Sequence, residues 1–333
     1  MLPDRSTKQH ASAHACVRRD HHLADPECAV CARPESRLLR LPSAVPTQHL
    51  VIITHTPRSL RRVLIGAARQ SDRAANVVVS CDTDDPAIAD VVERSSAELG
   101  LPVVLVQRPH TGKSRSAQAR NNGVRALMSR GIADPDRLVF IDGDCFPTTD
   151  FLRTHARRGA GERLVVGFRI DLTPEQTESF DEPAALAGRA PAAPTAEQLA
   201  SLAARHRRYA RHAWLRAIGL VKDHKPKVLS ANFSVPLGRY REINGFDEEF
   251  EGYGGEDDDL GRRLYRSGVK PAVAVKDAMV YHLWHPTRAA ANWEDSPGVK
   301  RFRTNLPVRA VLGLDQPLGQ GPVRTDVFGG KLC

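Results

Sequence analysis

Two carboxylates separated by one small residue, Asp142-Gly143-Asp144, follow the apolar run Leu138-Val139-Phe140-Ile141. Such a pair can address one hard cation or its waters. That cation can bridge a diphosphate and neutralise the charge that builds as a phosphate leaves. The glycine allows close backbone approach. A second copy of the spacing, Asp134-Pro135-Asp136, falls in a polar stretch and reads as a turn. Position directly after a buried strand is what singles out Asp142 and Asp144. Standing alone, the pair would be read as a solvated strand end.

A second constellation lies far along the chain. Tyr253-Gly254-Gly255-Glu256-Asp257-Asp258-Asp259 sets four acids behind two glycines where a helical pattern begins. Neighbouring carboxylates raise one another's pKa, whereas a helix N-terminus lowers it. Acids favour a first helical turn, but one or two would satisfy that preference; four point to function. A third is Met279-Val280-Tyr281-His282-Leu283-Trp284-His285. In a strand, His282 and His285 point to opposite faces, so both can serve one metal only if the strand ends between them. A carboxylate-plus-imidazole set favours Mn²⁺ over Mg²⁺.

The elements that must position these groups are legible from apolar runs. Short continuous runs at 50–53, 77–79, 103–106 and 138–141 predict strands buried on both faces. Helical patterns at 59–70, 86–99 and 116–130 fall between them, with Pro86 near the start of the second and Gly100 and Gly131 as stops. This alternation predicts an α/β fold with a mainly parallel sheet. Ligands of such sheets bind beyond the carboxyl ends of the strands. Residues 173–195, rich in Ala, Pro and Glu, predict a loop or mobile insert. Residues 195–218 predict a helix capped by Thr195; 228–235 and 278–282 predict strands, 256–266 a helix. The tail after 296 has weak patterning.

The 333 residues carry a net charge of +9, so phosphate-bearing ligands and anionic surfaces suit the protein. Aromatic residues make up only 5%, too few for the stacking platforms of single-stranded nucleic-acid binders. No apolar stretch reaches the ~20 residues of a membrane span, and no signal core follows Met1. The expectation is a cytoplasmic protein, with peripheral membrane contact through the basic surface or through the 195–218 helix held open. Six scattered cysteines do not form a secreted disulfide framework. Cys28-Ala29-Val30-Cys31 has the spacing of half a zinc site, which Cys16 and a nearby His could complete. A tail with incidental cysteines is the competing reading.

Asp142-Gly143-Asp144, Asn232-Phe233-Ser234-Val235-Pro236, Gly245-Phe246-Asp247, Tyr253 to Asp258 and Met279-x-x-His282 occur in that order. Together they resemble the family 2 glycosyltransferases of GT-A fold, a Rossmann-like nucleotide-binding sheet flanked by helices, with a C-terminal part similar to β-1,4-galactosyltransferases. The resemblance spans roughly 48–290. It implies an inverting transfer of a hexose or N-acetylhexosamine from a nucleotide-diphosphate sugar, a UDP-sugar first, to an acceptor hydroxyl, assisted by Mn²⁺ or Mg²⁺. Asp257 is then the base, with Glu256 beside it. Asp144, Asp142 and His282 hold the metal, with Met279 and His285 as further candidates. Thr54, Arg58, Asp82, Lys113, Arg120 and Asp142 face the donor. Tyr253, Gly255, Asp258 and Asn232 face the sugar or acceptor. Tyr253 stands where that branch commonly has Trp, and Cys81-Asp82 where the family has an acidic pair.

The implied organisation is an appendage over 1–47, a donor-binding half over 48–150, an acceptor and catalytic half over 151–295 and a tail over 296–333. Acceptors of glycan, lipid-linked, natural-product or peptide type are all compatible; nucleic acid is not expected. Two rival functions stand beside transfer. One is a nucleotide-sugar-binding protein of the same fold without activity. The other is an NTPase built on Gly112-Lys113-Ser114, although a P-loop needs Gly where Gln107 stands.

Overall fold

The computed structural model describes residues 46–191, 193–221, 224–286, 293–319 and 321–330. Cys16, Cys28 and Cys31, and with them the expected zinc site, lie outside the described residues.

The apolar runs form β1 (Gln48–Thr54), α1 (Leu60–Ala68), β2 (Asn76–Cys81), α2 (Pro86–Leu99), β3 (Val103–Gln107), α3 (Ser116–Met128) and β4 (Arg137–Asp142). β3, β2, β1 and β4 lie side by side and parallel. Side chains alternate along each strand between two apolar layers. Val51, Val78, Val104 and Phe140 share one layer with α3 residues, and Leu50, Ile52, Val79 and Ile141 share the other with residues of α1 and α2. Burial on both faces is why these strands read as unbroken apolar runs. α2 shows the expected punctuation: Asp85 accepts from the Ala87 N–H, Pro86 opens the helix, and Gly100 ends it in the left-handed region.

The register fixes the site. Ile53 stands opposite Asp142, and Thr54 opposite Cys81. The carboxyl ends of β1, β2 and β4 therefore share one edge.

The rest of the chain adds β5 (Cys145–Pro147), α4 (Phe151–Arg158), β6 (Leu164–Val166), β7 (Phe168–Asp171), α5 (Pro174–Ser179), α6 (Glu182–Leu186), α7 (Ala196–Ala217), β8 (Asn232–Pro236), α8 (Leu237–Glu242), α9 (Glu256–Arg266), β9 (Pro271–Val273), β10 (Met279–His282), a 3₁₀ turn at Trp293–Asp295, α10 (Pro297–Phe302) and β11 (Arg324–Phe328). The large sheet has the order β11-β3-β2-β1-β4-β8-β6-β9. β8 runs antiparallel to β4 and β6, and β11 antiparallel to β3. The expected mainly parallel character holds for β3, β2, β1 and β4 and for the β6–β9 pair. A second sheet, β5-β10-β7, brings His282 beside Cys145 and Asp171.

Residues 173–195 are not the loop their composition predicts. Thr173 accepts from the Gln176 N–H while the Gln176 side chain accepts from the Thr173 N–H, a capping box that opens α5. Asp181 caps α6 through the Ala184 N–H. Pro174 and Pro183 occupy the first turns of these helices, where a missing N–H costs nothing. No helix among the described residues is long and apolar enough to cross a membrane.

Candidate active site

Gly143 is forced by the strand ends it joins. A Cβ there would lie 2.7 Å from the Thr54 Cβ and 3.1 Å from the Ile53 carbonyl oxygen. Its N–H donates to that carbonyl at 2.7 Å. The link fixes Asp142 and Asp144 at the sheet edge, beyond the end of β1.

β10 ends at His282, so His285 lies past the strand and is free of its alternation. This meets the condition under which both histidines could serve one metal. His285 Nε2 lies 3.1 Å and His282 Nε2 3.6 Å from Asp144 Oδ2. One ligand atom from each of the three residues fits within 4.8 Å of the others, a carboxylate-imidazole set suited to Mn²⁺. Burial acts to raise the Asp144 carboxyl, but pairing with His282 and His285 holds it well below the usual carboxylate range. Burial acts to lower His282, yet pairing with Asp144 and Asp171 raises it to about 9. His285 is raised first by its hydrogen bond to Asp144.

Asp171 carries no sequence signal, because the four-residue β7 that holds it has no distinct pattern. It stands opposite His282 in the β10–β7 register, 3.0 Å from His282 Nδ1. That contact orients the ring and turns Nε2 towards Asp144, as a carboxylate behind a metal-binding imidazole does. Met279 does not join this group. It lies three residues up the strand on the face shared with Tyr281, packed against the apolar layer that holds Phe140, whereas His282 shares the opposite face with Val280.

The Gly-Gly-acid segment enters from the other side. Gly255, at φ +92°, precedes α9, and a Cβ on it would lie 2.7 Å from the Gly298 carbonyl oxygen. Both the left-handed backbone and the close approach require glycine. The four acids then diverge in role. Asp259 is fully buried and holds Arg263 at 2.6 Å, a structural ion pair within α9. Asp258 accepts from Lys227 Nζ at 2.7 Å. Glu256 accepts from Ser116 Oγ at 3.3 Å. Among the described residues, Asp257 accepts from backbone donors alone, the Asp258 N–H at 2.8 Å and the Ser230 N–H at 3.5 Å. Burial, then Glu256 and Asp258, push Asp257 up to about 7.

Arg120 on α3 joins the two halves. Its Nη2 donates to Asp142 Oδ1 at 2.8 Å, and its Nη1 lies 4.0 Å from Glu256 Oε1. Burial pushes Asp142 up, opposed by Arg120. The next residue ties α3 to the Gly245-Phe246-Asp247 segment. Asn121 Oδ1 accepts from the Phe246 N–H at 3.0 Å and its Nδ2 donates to the Phe246 carbonyl at 2.9 Å.

The other expected residues separate. Thr54 sits at the shared edge, its hydroxyl donating to the Thr56 carbonyl at 2.7 Å. Asp82 also sits there, but one carboxylate oxygen pairs with the fully buried Arg108 and the other accepts from the Arg115 N–H at 2.6 Å. Arg108 was not legible in the sequence, where it reads as a loop cation. Arg58 is exposed and lines a cavity of about 470 Å³ with Arg61, Arg62, Thr177, Asp181 and Trp284. That cavity is lined by none of Asp142, Asp144 and Asp257. Lys113 pairs with Glu251 at 3.0 Å, and Gly112-Lys113-Ser114 precedes α3 as an open turn, not a phosphate cradle continuous with the helix. Tyr253 is 73% exposed.

Asn232 corrects the expectation of a sugar contact. It is 0% exposed. Its Nδ2 donates to the Phe168 and Ala278 carbonyls at 2.8 and 2.7 Å, and its Oδ1 lies 3.1 Å from His155 Nε2. Every one of these bonds fastens the small sheet or α4 to β8, and none points to a ligand.

The matches to known proteins follow this geometry. Residues 220–286 match the family described as the N-terminal domain of galactosyltransferase. Two proteins, each named Validoxylamine A glucosyltransferase, come from Streptomyces hygroscopicus subsp. jinggangensis (strain 5008) and subsp. limoneus. Each is 28% identical over 250 residues, covering 70% of this chain and 54% or 51% of its own length. The chain thus spans about half the length of the curated relatives it matches. The solved structure of GalNAc-T7 with UDP, GalNAc and Mn²⁺ superposes with a TM-score of 0.50 at 13% identity, covering 78% of this chain and 48% of that one. The fold is the GT-A fold of glycosyltransferases, and 220–286 is its galactosyltransferase-like region.

Proposed function

We propose that this chain is an inverting, metal-assisted glycosyltransferase of family 2 type, moving a hexose or N-acetylhexosamine from a UDP-sugar to an acceptor hydroxyl. The observation that carries the reading is that Arg120 joins Asp142, two residues before Asp144, to Glu256, the neighbour of Asp257. Pairing with two imidazoles holds Asp144 low, and Asp257, which has no ion pair among the described residues, is raised to about 7. A low-pKa carboxylate suits a metal ligand, and one poised near neutrality suits a base.

Asp257 takes the proton of the acceptor hydroxyl. The oxygen attacks the anomeric carbon from the face opposite the diphosphate, and the bond to the diphosphate oxygen breaks with its electron pair. Asp144, His282 and His285 are the residues that would hold Mn²⁺, which when bound neutralises charge on the departing diphosphate. Asp171 keeps the His282 ring aimed, and Arg120 holds Asp142 in place. Thr54 and Asp82 line the donor side of the edge, and Asp258 the acceptor side.

The matched relatives are named for glucosyl transfer to validoxylamine A. A glucosyl donor and validoxylamine A are therefore the first pair to try. A screen of nucleotide sugars for hydrolysis, with and without Mn²⁺, tests the proposal. UDP release that depends on Mn²⁺ and on Asp144 is expected. Donor binding without turnover for any acceptor would favour a non-catalytic binding protein, and no binding of any nucleotide sugar would overturn both.

A further inference from the structure

We infer that the C-terminal third of α7 is a docking surface for an anionic lipid bilayer. The first two thirds of the helix are pinned to the protein. Leu202 and Tyr209 are buried, and the Arg205 guanidinium lies 3.7 Å from the centroid of the Phe168 ring. From residue 210 to residue 220 no residue is buried.

What anchors this end is polar. The Arg216 side chain donates to the Lys225 carbonyl at 2.8–2.9 Å and lies 4.1 Å from the centroid of the Tyr265 ring. The apolar side chains are left outside: Trp214 is 62%, Ile218 52% and Leu220 70% exposed. An aqueous surface does not hold three large apolar groups this close together without use.

The charge pattern identifies the occupant. Arg207, Arg211, Trp214 and Ile218 follow one another at helical spacing, so two exposed arginines and two exposed apolar residues share one stripe. Arg208 is exposed beside them. Between Thr195 and Val221 the sequence has a single acid, Glu197, at the opposite end of the helix. A protein groove would be matched by the apolar residues alone. Cations interleaved with a tryptophan, without acids, match lipid phosphates over acyl chains. The surface connects to the acceptor side through the segment in which Lys225 receives Arg216 and Lys227 holds Asp258. The inference rests on α7 alone and stands apart from the proposed reaction.

The test is co-sedimentation of the full chain with vesicles of phosphatidylcholine alone or mixed with phosphatidylglycerol. Binding to the mixed vesicles, weakening with salt, is expected, with little binding to the neutral ones. R207Q/R211Q should reduce partitioning roughly 30-fold, about fivefold for each arginine lost near an anionic surface. W214A/I218A should also release the protein. Both variants alter exposed side chains and should keep the wild-type Tm. Absence of binding by the full chain overturns the inference, as does binding that neither variant changes. A dimer seen by light scattering that W214A/I218A dissolves, without vesicle binding, would assign the patch to self-association instead.

Discussion

Asp257→Asn separates the proposed chemistry from stability in a single protein. The substitution keeps an oxygen that can accept the Asp258 N–H now donating at 2.8 Å, so the start of α9 retains its geometry. It removes a charge from a half-buried position between two other acids. The gap between about 7 and the ordinary 3.8, at about 1.36 kcal/mol for each pH unit, sets an upper limit of about 4 kcal/mol on the cost of ionising Asp257 in the folded protein. The sign follows from which state binds the proton. Below pH 3.8 both states are protonated and the cost vanishes. Between 3.8 and 7 the folded protein binds a proton that the unfolded chain has lost, and above 7 the full cost applies. The advantage of the variant should therefore grow from near zero at pH 4 to a plateau above pH 7. At about 2 °C for each kcal/mol in a chain of this size, the plateau is at most about 8 °C in Tm. Turnover should move the other way. Loss of a general base costs about 10²–10⁴-fold in rate, with donor affinity unchanged. Paired thermal melts from pH 4 to 8 without metal, and Mn²⁺-dependent UDP release at pH 7.5, read the two quantities. Equal melts at every pH, or turnover within threefold of wild type, would refute the reasoning.

Three further outcomes follow from the same geometry. His282, raised to about 9 without metal, must lose its proton to become a ligand; Mn²⁺ affinity measured by titration should rise between pH 6.5 and 8.5 by up to about tenfold for each pH unit, and D144A should abolish it. R120A leaves Asp142 and Glu256 facing each other without their shared cation; losing one member of a buried pair costs roughly 3–5 kcal/mol, so chemical denaturation should show a clear drop and calorimetry weaker donor binding. His155 is lowered to about 3 by burial, so between pH 6.5 and 3 the unfolded chain binds a proton that the folded protein refuses. Stability should fall with acid by up to about 1.4 kcal/mol for each pH unit, and urea unfolding of H155Q should show a shallower slope.

The central sheet was legible because its strands are buried on both faces, and burial writes itself as Val-Val-Val or Leu-Val-Ile-Ile. The edge position of Asp142 and Asp144 followed from that alone. What lay hidden was short or long-range. β7 has four residues and no pattern, so Asp171 could not be seen, although it holds His282. β11 joins β3 from more than two hundred residues away, and its pairing gives an exposed edge strand no continuous apolar run. The helices at 174–186 were obscured by prolines whose permissive first-turn positions only the capping contacts reveal. Asn232 misled in the opposite direction. A polar residue in a motif suggests a ligand contact, but here its amide ties the small sheet to the large one.

Three of the motifs are joined in space by two neighbouring residues of α3. Asn121 binds the backbone of Phe246, and Arg120 spans Asp142 and Glu256. The donor edge and the acid helix are thereby held at a fixed separation before any ligand arrives, which is where positioning contributes most to a transfer reaction. Within that frame, carboxylates of one chemical type take different tasks from their neighbours. Asp259 has Arg263, Asp258 has Lys227, and Asp144 has two imidazoles. Asp257 has backbone amides and other acids around it, and burial with those acids raises it towards neutrality. The run Glu-Asp-Asp-Asp cannot state which member is which, since the partners that decide it come from the start of α3, from Lys227 and Ser230 ahead of β8, and from one turn further along α9. In the proposed reaction the role of base goes to Asp257, because a carboxylate held by a cation has little affinity left for a proton.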